Sequence, residues 1–294
     1  MKSPILLIAN PAARHASEKG IERAANLLRS GGWDVRVLFT CKKGDAEAFA
    51  RHAQAEGISL IMAAGGDGTL NEVINGIVHT DVSMAILPMG TTNVLAKELG
   101  IPEDIEGAVN RALKGRPRAV SLGRITVGQL PSPLTRYFCL MAGIGFDGDA
   151  VYRFSTSLKR FSGKAAYILS GMKTLLHYSP EPLTFSMDGK SCRGYSAIIC
   201  KAARYGGDFK VAPDASLMSP LLYAVIMEGR RRFDVLRYSL GIMWGRHLRF
   251  NDVHYLKGDS VRIEGIANVQ TDGDYLGKTP AVITAVPEAL KIVF

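Results

Sequence analysis

The chain has 294 residues, 47% of them hydrophobic and 21% charged, with no low-complexity tract or fixed-period repeat. That balance excludes a disordered or fibrous protein and suits two domains, each able to bury its own core, with one long domain as the alternative. The net charge of +9 is uneven: residues 1–150 hold 16 Lys/Arg against 15 Asp/Glu, while residues 151–294 hold 20 against 12. Such an excess fits an anionic partner, a membrane leaflet or a nucleic acid, the plainer alternative being a soluble basic surface.

The N-terminal part alternates strand and helix periodicities, the signature of a parallel sheet with crossover helices. Ile5–Ala9 is a strand leading into Asn10-Pro11, and Ile21, Ala24, Ala25 and Leu28 mark one face of a helix that Gly31-Gly32 ends. Trp33, Val35, Val37 and Phe39 alternate as a strand. Asp45 is placed to N-cap a helix whose Ala46, Phe49, Ala50 and Ala53 share a face, with Gly57 ending it. A third strand, Ile58–Ala64, runs into Gly65-Gly66-Asp67-Gly68-Thr69, with a helix predicted over Leu70–Asn75. A fourth, Met84–Leu87, ends at Pro88-Met89-Gly90-Thr91-Thr92-Asn93, before a helix reaching Leu99. In open sheets of this kind ligands lie beyond the carboxyl ends of the strands, where both glycine-rich turns fall.

After Lys114-Gly115-Arg116-Pro117 the pattern changes to short strands with turn signals. Asp188-Gly189 and Asp272-Gly273, each between alternating residues, predict hairpins. One helix is predicted over Lys164–Tyr178 and a second amphipathic stretch over Phe233–Arg249. The expected organisation is an α/β domain over 1–118 and a mainly β domain over 119–294, with the return of the last strand to the first domain left open.

No apolar run approaches the roughly 18 residues a spanning helix needs, and the chain enters its first strand without a signal-peptide plan. The expectation is a cytoplasmic protein. Cys41, Cys139, Cys192 and Cys200 form no Cys-x-x-Cys pair, which implies neither a zinc site nor a disulfide framework. The six histidines lack metal-ligand spacing, and no serine lies in a Gly-x-Ser-x-Gly elbow.

The strongest local signal is Gly65-Gly66-Asp67-Gly68-Thr69 at a strand-to-helix junction. Glycines there let the backbone approach a phosphate, and the helix N-terminus offers unpaired N–H groups and a favourable dipole end. A carboxylate in such a loop repels phosphate unless it holds Mg²⁺ or the water around it, so Asp67 makes the loop more nucleotide-like than simply anion-like. The plainer alternative is a tight turn with an N-cap aspartate.

Read onward, Gly65-Gly66-Asp67-Gly68-Thr69-Leu70-Asn71-Glu72-Val73 resembles the nucleotide-binding signature of the diacylglycerol kinase catalytic family. Further segments agree in order: Asn10-Pro11, Thr40 with Gly44-Asp45-Ala46, Gly90-Thr91-Thr92-Asn93 with Leu99-Gly100-Ile101-Pro102, Gly143-Ile144-Gly145-Phe146-Asp147, Gly206-Gly207 with Ala212-Pro213-Asp214-Ala215, and Asp272-Gly273-Asp274. The resemblance implies the fold shared by diacylglycerol kinases and NAD kinases. It implies ATP and Mg²⁺ as cofactors and transfer of the γ-phosphate to a lipid hydroxyl. It places Asn10, Pro11, Thr40, Gly65, Gly66, Asp67, Gly68, Thr69, Leu70, Asn71, Glu72, Gly90, Thr91 and Asn93 around the nucleotide, with Asp67 toward the metal. It also assigns proton removal to Asp272 or Asp274. Family members more often have glutamate where this chain has Asp274, and the shorter side chain pulls a base back by about one methylene, which makes Asp272 the first choice and Asp274 the second.

Three departures from the family pattern each remove an acid: Val94, Ser121 and Ser219-Pro220 stand where aspartates are frequent. In the bacterial lipid kinases those acids contribute to a structural Mg²⁺ site or to an aspartate network, so that accessory metal is in question here. For the lipid, the segment from Arg230-Arg231-Arg232 through Phe233, Leu236, Trp244 and Arg249 interleaves bases with large apolar residues. It reads as a membrane-facing element that holds the protein peripherally at the inner leaflet, or as a core helix with a basic flank. A non-catalytic nucleotide- or lipid-sensing module is the alternative from another class, and NAD kinase a lesser one. Nucleic acid is not an expected partner, since no recognised binding motif accompanies the positive half.

Overall fold

The computed structural model describes residues 4–128, 132–157, 175 and 178–294. They form two compact units: residues up to Ser121 together with Pro287–Phe294, and Leu122–Val286.

The first unit is built on strands β1 (Ile5–Ala9), β2 (Val35–Phe39), β3 (Leu60–Gly65) and β4 (Ser83–Pro88). They lie parallel in the order β2-β1-β3-β4. Every residue of β1, β3 and β4 is buried, as expected where helices cover both faces of a parallel sheet. Helix α1 (Glu18–Ser30) starts where Ser17 Oγ accepts the Gly20 amide at 3.1 Å, and buries the predicted Ile21, Ala24, Ala25 and Leu28.

Helix α2 (Asp45–His52) departs from the sequence reading: its N-cap is Gly44, at φ +91°, and Asp45 is its first helical residue. The Asp45 carboxylate turns back to accept the amides of Cys41 and Lys42 at 2.8 and 2.9 Å, bonds that hold it below the ordinary carboxylate range. Helix α3 (Asp67–Ile77) begins at Asp67 rather than Leu70, with Gly66 as N-cap. Asp67, Gly68 and Thr69 are therefore the first turn of a helix, where amides lack intrahelical partners. A short α4 (Val94–Glu98) follows the second glycine turn. Helix α5 (Ile105–Lys114), which the sequence reading passed over, is capped by Asp104 accepting the Gly107 amide at 2.7 Å.

In the second unit the elements follow as β5 (Pro117–Val127, begun in the first unit), β6 (Leu134–Phe138), β7 (Met141–Ile144), α6 (Phe146–Ser157), β8 (Leu183–Met187), β9 (Lys190–Gly194) and β10 (Ser196–Cys200). Then come the short pair β11 (Arg204–Tyr205) and β12 (Phe209–Lys210), β13 (Leu222–Met227), α7 (Arg232–Met243), β14 (Val253–Gly258), β15 (Ser260–Glu264), β16 (Asn268–Thr271), β17 (Asp274–Lys278) and β18 (Ala281–Val293). One sheet runs β14-β13-β10-β7-β16-β17; β15, β8 and β9 continue from β18, which also carries β5 and β6. Their inner faces meet in one core, with Phe138, Phe185, Ile263 and Ile283 from one side and Ile144, Ile199, Ala224 and Val269 from the other. This is a β-sandwich. Gly123 pairs with Phe138 across β5 and β6, and a Cβ on it would lie 2.1 Å from the ring, so only glycine leaves room for that side chain.

The end of β18 belongs to the first unit, where Lys291 and Ile292 pair in parallel with Ser83 and Met84 of β4. The predicted helix over Lys164–Tyr178 lies outside the described residues except for Leu175 and Tyr178. Among the described residues no helix is long and apolar enough to cross a membrane.

Candidate active site

In the first unit the glycine turns, Asn10 and Thr40 all fall at the carboxyl ends of β1 to β4. Gly66 and Gly90 back each other so closely that a Cβ on Gly90 would lie 2.5 Å from the Gly66 Cα. Around Gly68, by contrast, a Cβ would meet nothing within 4 Å, so the Cα of this residue borders open space. Asn93, at φ +46°, folds its Oδ1 back to accept the Gly90 amide at 2.8 Å. Asn10 Nδ2 donates to Thr69 Oγ1 at 3.1 Å and its Oδ1 accepts the Ala12 amide, which fixes the turn through Pro11 beside the α3 terminus. The Thr40 amide donates to the Ala9 carbonyl at 2.9 Å.

The acids of this region are held by backbone. Asp67 Oδ2 accepts Thr92 Oγ1 at 3.2 Å and the Val94 amide at 3.1 Å, and Oδ1 accepts the Leu95 amide at 3.1 Å. Three of about four acceptor positions are thus used at the start of α4, and one on Oδ1 remains for a water or an ion. Glu72 accepts the amides of Gly44 and Ala46 at 2.9 and 3.2 Å, so it caps α2 from α3. Leu70 is buried with Val73, Ile74 and Ile77 on the core face of α3, and Asn71 Oδ1 accepts Asn75 Nδ2. Thr91 is half-buried within the second turn.

In the second unit Asp272 and Gly273 form the two-residue turn between β16 and β17, both at positive φ (+47° and +90°) with Thr271 opposite Asp274. Asp188-Gly189 makes the same turn between β8 and β9. The two differ in what the aspartate does. Asp272 turns its carboxylate inward to accept the amides of Cys139, Leu140 and Met141 at 2.8, 3.0 and 2.9 Å. Burial pushes this carboxyl above its ordinary value, against the opposing pull of those amides. Asp274 opens β17 and is half-buried.

A side-chain chain that the sequence did not single out supports this turn. Tyr205 donates to Asp147 Oδ1 and Gln270 Nε2 to Asp147 Oδ2, both at 2.5 Å, and Gln270 Oε1 accepts the Gly273 amide at 2.8 Å. Beside it, Asn268 donates to Asp149 at 2.6 Å and accepts from Tyr275 at 3.1 Å. Burial raises the Asp149 carboxyl above its usual value. Only Asp147 carried a sequence signal, as the end of its glycine motif.

The three positions where the sequence departs from the resemblance hold other side chains. Val94 is buried, and Ser121 Oγ accepts the Glu288 amide at 3.4 Å. Ser219 Oγ accepts the Leu221 amide at 3.2 Å. Among the described residues no group of three or more His, Cys, Asp or Glu is arranged to hold a metal.

An α/β unit with glycine-lined strand ends, joined in one chain to a β-sandwich, is the fold class of the diacylglycerol and NAD kinases. A diacylglycerol kinase structure from Bacillus anthracis str. Sterne superposes with a TM-score of 0.73 at 22% identity, covering 100% of this chain and 98% of that one. Yeast NADH kinase complexed with NADH gives 0.56 at 11% identity, covering 99% and 83%. Sequence narrows the class. A profile of the diacylglycerol kinase catalytic domain matches residues 4–125, and one of the YegS C-terminal NAD kinase beta sandwich-like domain matches residues 141–294. Diacylglycerol kinase of Bacillus subtilis (strain 168) is 31% identical over 282 residues, 93% of this chain and 90% of the relative. Diacylglycerol kinase of Staphylococcus aureus (strain Newman) is 29% identical over 288 residues, 96% and 89%. The chain belongs to the diacylglycerol kinase family.

Proposed function

We propose that this protein is an ATP-dependent lipid kinase that transfers the γ-phosphate to the hydroxyl of diacylglycerol or a similar lipid alcohol. The observation that carries the reading is the pair of back-to-back glycine turns at the ends of β3 and β4, tied by Asp67, in a member of this family. The open first turn of α3 presents amides and a dipole end suited to phosphate. Mg²⁺ arriving with ATP neutralises charge on the transferring group, and the remaining acceptor position of Asp67 fits a hold on that ion or its water.

Between the two acids of the hairpin, the geometry favours Asp274 as the proton acceptor. Asp272 spends its carboxylate on three amides, and moving it would strip them of partners. We therefore assign Asp272 to shaping the turn and Asp274 to the acceptor hydroxyl, which reverses the order expected from the sequence.

For access to lipid the support lies in α7. Its Val235, Tyr238 and Gly241 are buried, while Phe233 and Trp244 are 82% and 67% exposed and Leu236 and Met243 are also exposed. The two sets lie on opposite sides of one helix, and Arg230, Arg231 and Arg232 at its start are exposed. A core helix with a solvated flank would not turn its largest apolar residues outward. An apolar stripe beside clustered arginines fits peripheral attachment to an anionic leaflet.

The test is transfer of label from γ-labelled ATP in the presence of Mg²⁺ to mixed micelles of a total lipid extract, with Asp274→Ala alongside. A labelled lipid that disappears in the variant supports the kinase and identifies its acceptor. No labelled lipid from folded, ATP-binding protein would replace the reading with a sensing module.

A further inference from the structure

Lys201 follows β10 and is 0% exposed, one of the largest fully buried side chains. Its ammonium donates to the carbonyls of Ser216 and Ser219, both at 2.7 Å. These carbonyls belong to the segment between β12 and β13 in which Ser219-Pro220 replaces an acid-bearing pair. The serine hydroxyls are turned elsewhere: Ser216 Oγ accepts the Met218 amide and Ser219 Oγ the Leu221 amide, each at 3.2 Å. Among the described residues no carboxylate takes part in this arrangement; a single positive charge sits on neutral oxygens.

Hard cations such as Mg²⁺ and Ca²⁺ take oxygen donors, carbonyls among them, and need carboxylates to offset their double charge. Here the carbonyl oxygens already serve an ammonium, and the residue at 219 has no carboxylate. The donor set does not fit the accessory divalent metal that the family resemblance implies. We propose that the Lys201 ammonium is the resident cation of the Val211–Leu221 segment, and that the second unit is ordered without any bound metal. This inference rests on the second unit alone and stands apart from the kinase reading.

The arrangement explains how so polar a segment is pinned. Ser216 O receives both Lys201 and the Ser219 amide, the latter at 3.0 Å, so one carbonyl joins the turn to the cation. Val211, Ala212 and Leu217 are buried around it. The Val211 carbonyl in turn meets His247 Nε2 at 2.8 Å, just beyond α7. Burial pulls the Lys201 ammonium down to about 8, which leaves it charged at neutral pH.

Elemental analysis and thermal unfolding of the nucleotide-free protein, with EDTA or with millimolar Mg²⁺, test the proposal. The expected result is well under one divalent ion per chain and a Tm unmoved by either addition. Near-stoichiometric metal, or a Tm lowered by chelation, overturns it. Hydrogen exchange of Lys201→Met should show protection in 211–221 lowered by about tenfold or more; unchanged protection there overturns it as well. A second variant, Lys201→Met with Ser219→Asp, returns an acid to the two carbonyls, and Mg²⁺ is expected to raise its Tm while leaving the wild type unmoved. If either variant fails to fold, the wild-type measurements still decide the question.

Discussion

Asp67, the first residue of α3, accepts the Leu95 amide at the start of α4 through Oδ1 at 3.1 Å, and the neighbouring Val94 amide through Oδ2. One carboxylate thereby sets the distance between the two glycine turns while keeping a single acceptor position open. Asp67→Ala is expected to cost about 1–2 kcal/mol, the range for losing a helix cap, in urea unfolding. Phosphotransfer should fall by about 100-fold or more at temperatures where the variant is still folded. Loss of stability with full transfer would reduce Asp67 to a cap.

The hairpin acids are expected to separate by phenotype. Asp272→Asn sets an amide NH₂ against three backbone donors that need acceptors, and should cost about 1–3 kcal/mol in thermal or urea unfolding. Asp274→Asn keeps the side chain's shape and should lower kcat by about 10²–10⁴-fold in protein that remains folded. If Asp272→Asn were as stable as wild type yet inactive, the assignment of roles would be reversed.

What could be read from residues alone was the part of the fold written in local pattern. Strands β1 to β4 and the helix faces at Ile21–Leu28 follow from periodicity, and the glycine turns from residues that punctuate the chain. The partners of Asp67, Glu72 and Asp272 were not legible, because most of them are backbone amides with no sequence signature, up to 133 residues away for Asp272 and Cys139. Asp45 illustrates the error this invites: its position suits an N-cap, but Glu72 serves the start of α2 and leaves Asp45 to the preceding turn. The stretch after Phe233 shows another limit. Helical spacing displays apolar residues on two sides, and only packing decides that Val235 and Tyr238 are inside and Phe233 and Trp244 outside.

That exposure leads to a prediction about surfaces. Phe233→Ala with Trp244→Ala should weaken sedimentation with anionic vesicles by about tenfold or more, since each ring loses apolar area that the bilayer interface would otherwise cover. Replacing Arg230, Arg231 and Arg232 by Ala should lower binding about fivefold per charge, from roughly 1 kcal/mol each, and remove its salt dependence. Unfolding should barely change in either set. Equal binding of wild type and variants to vesicles would take the membrane role from α7.

Lys201 carries a pH signature whose sign follows from where its proton is held. Its folded value, about 8, lies below the usual 10.5, and burial is the cause. Below pH 8 both folded and unfolded chains keep the proton, and the contribution is level. Between 8 and 10.5 the folded protein has released a proton that the unfolded chain still binds, so this group makes stability rise with pH, by at most about 1.4 kcal/mol per unit. Above 10.5 the contribution is level again. Other groups titrate in the same window, so the quantity to follow is the unfolding free energy of wild type minus that of Lys201→Met. That difference should climb between pH 8 and 10.5 and stay flat from 6 to 7.5. A difference that is flat throughout would mean that the buried amine keeps its ordinary affinity for the proton, and a falling one that the two carbonyls bind the ammonium strongly enough to outweigh its burial.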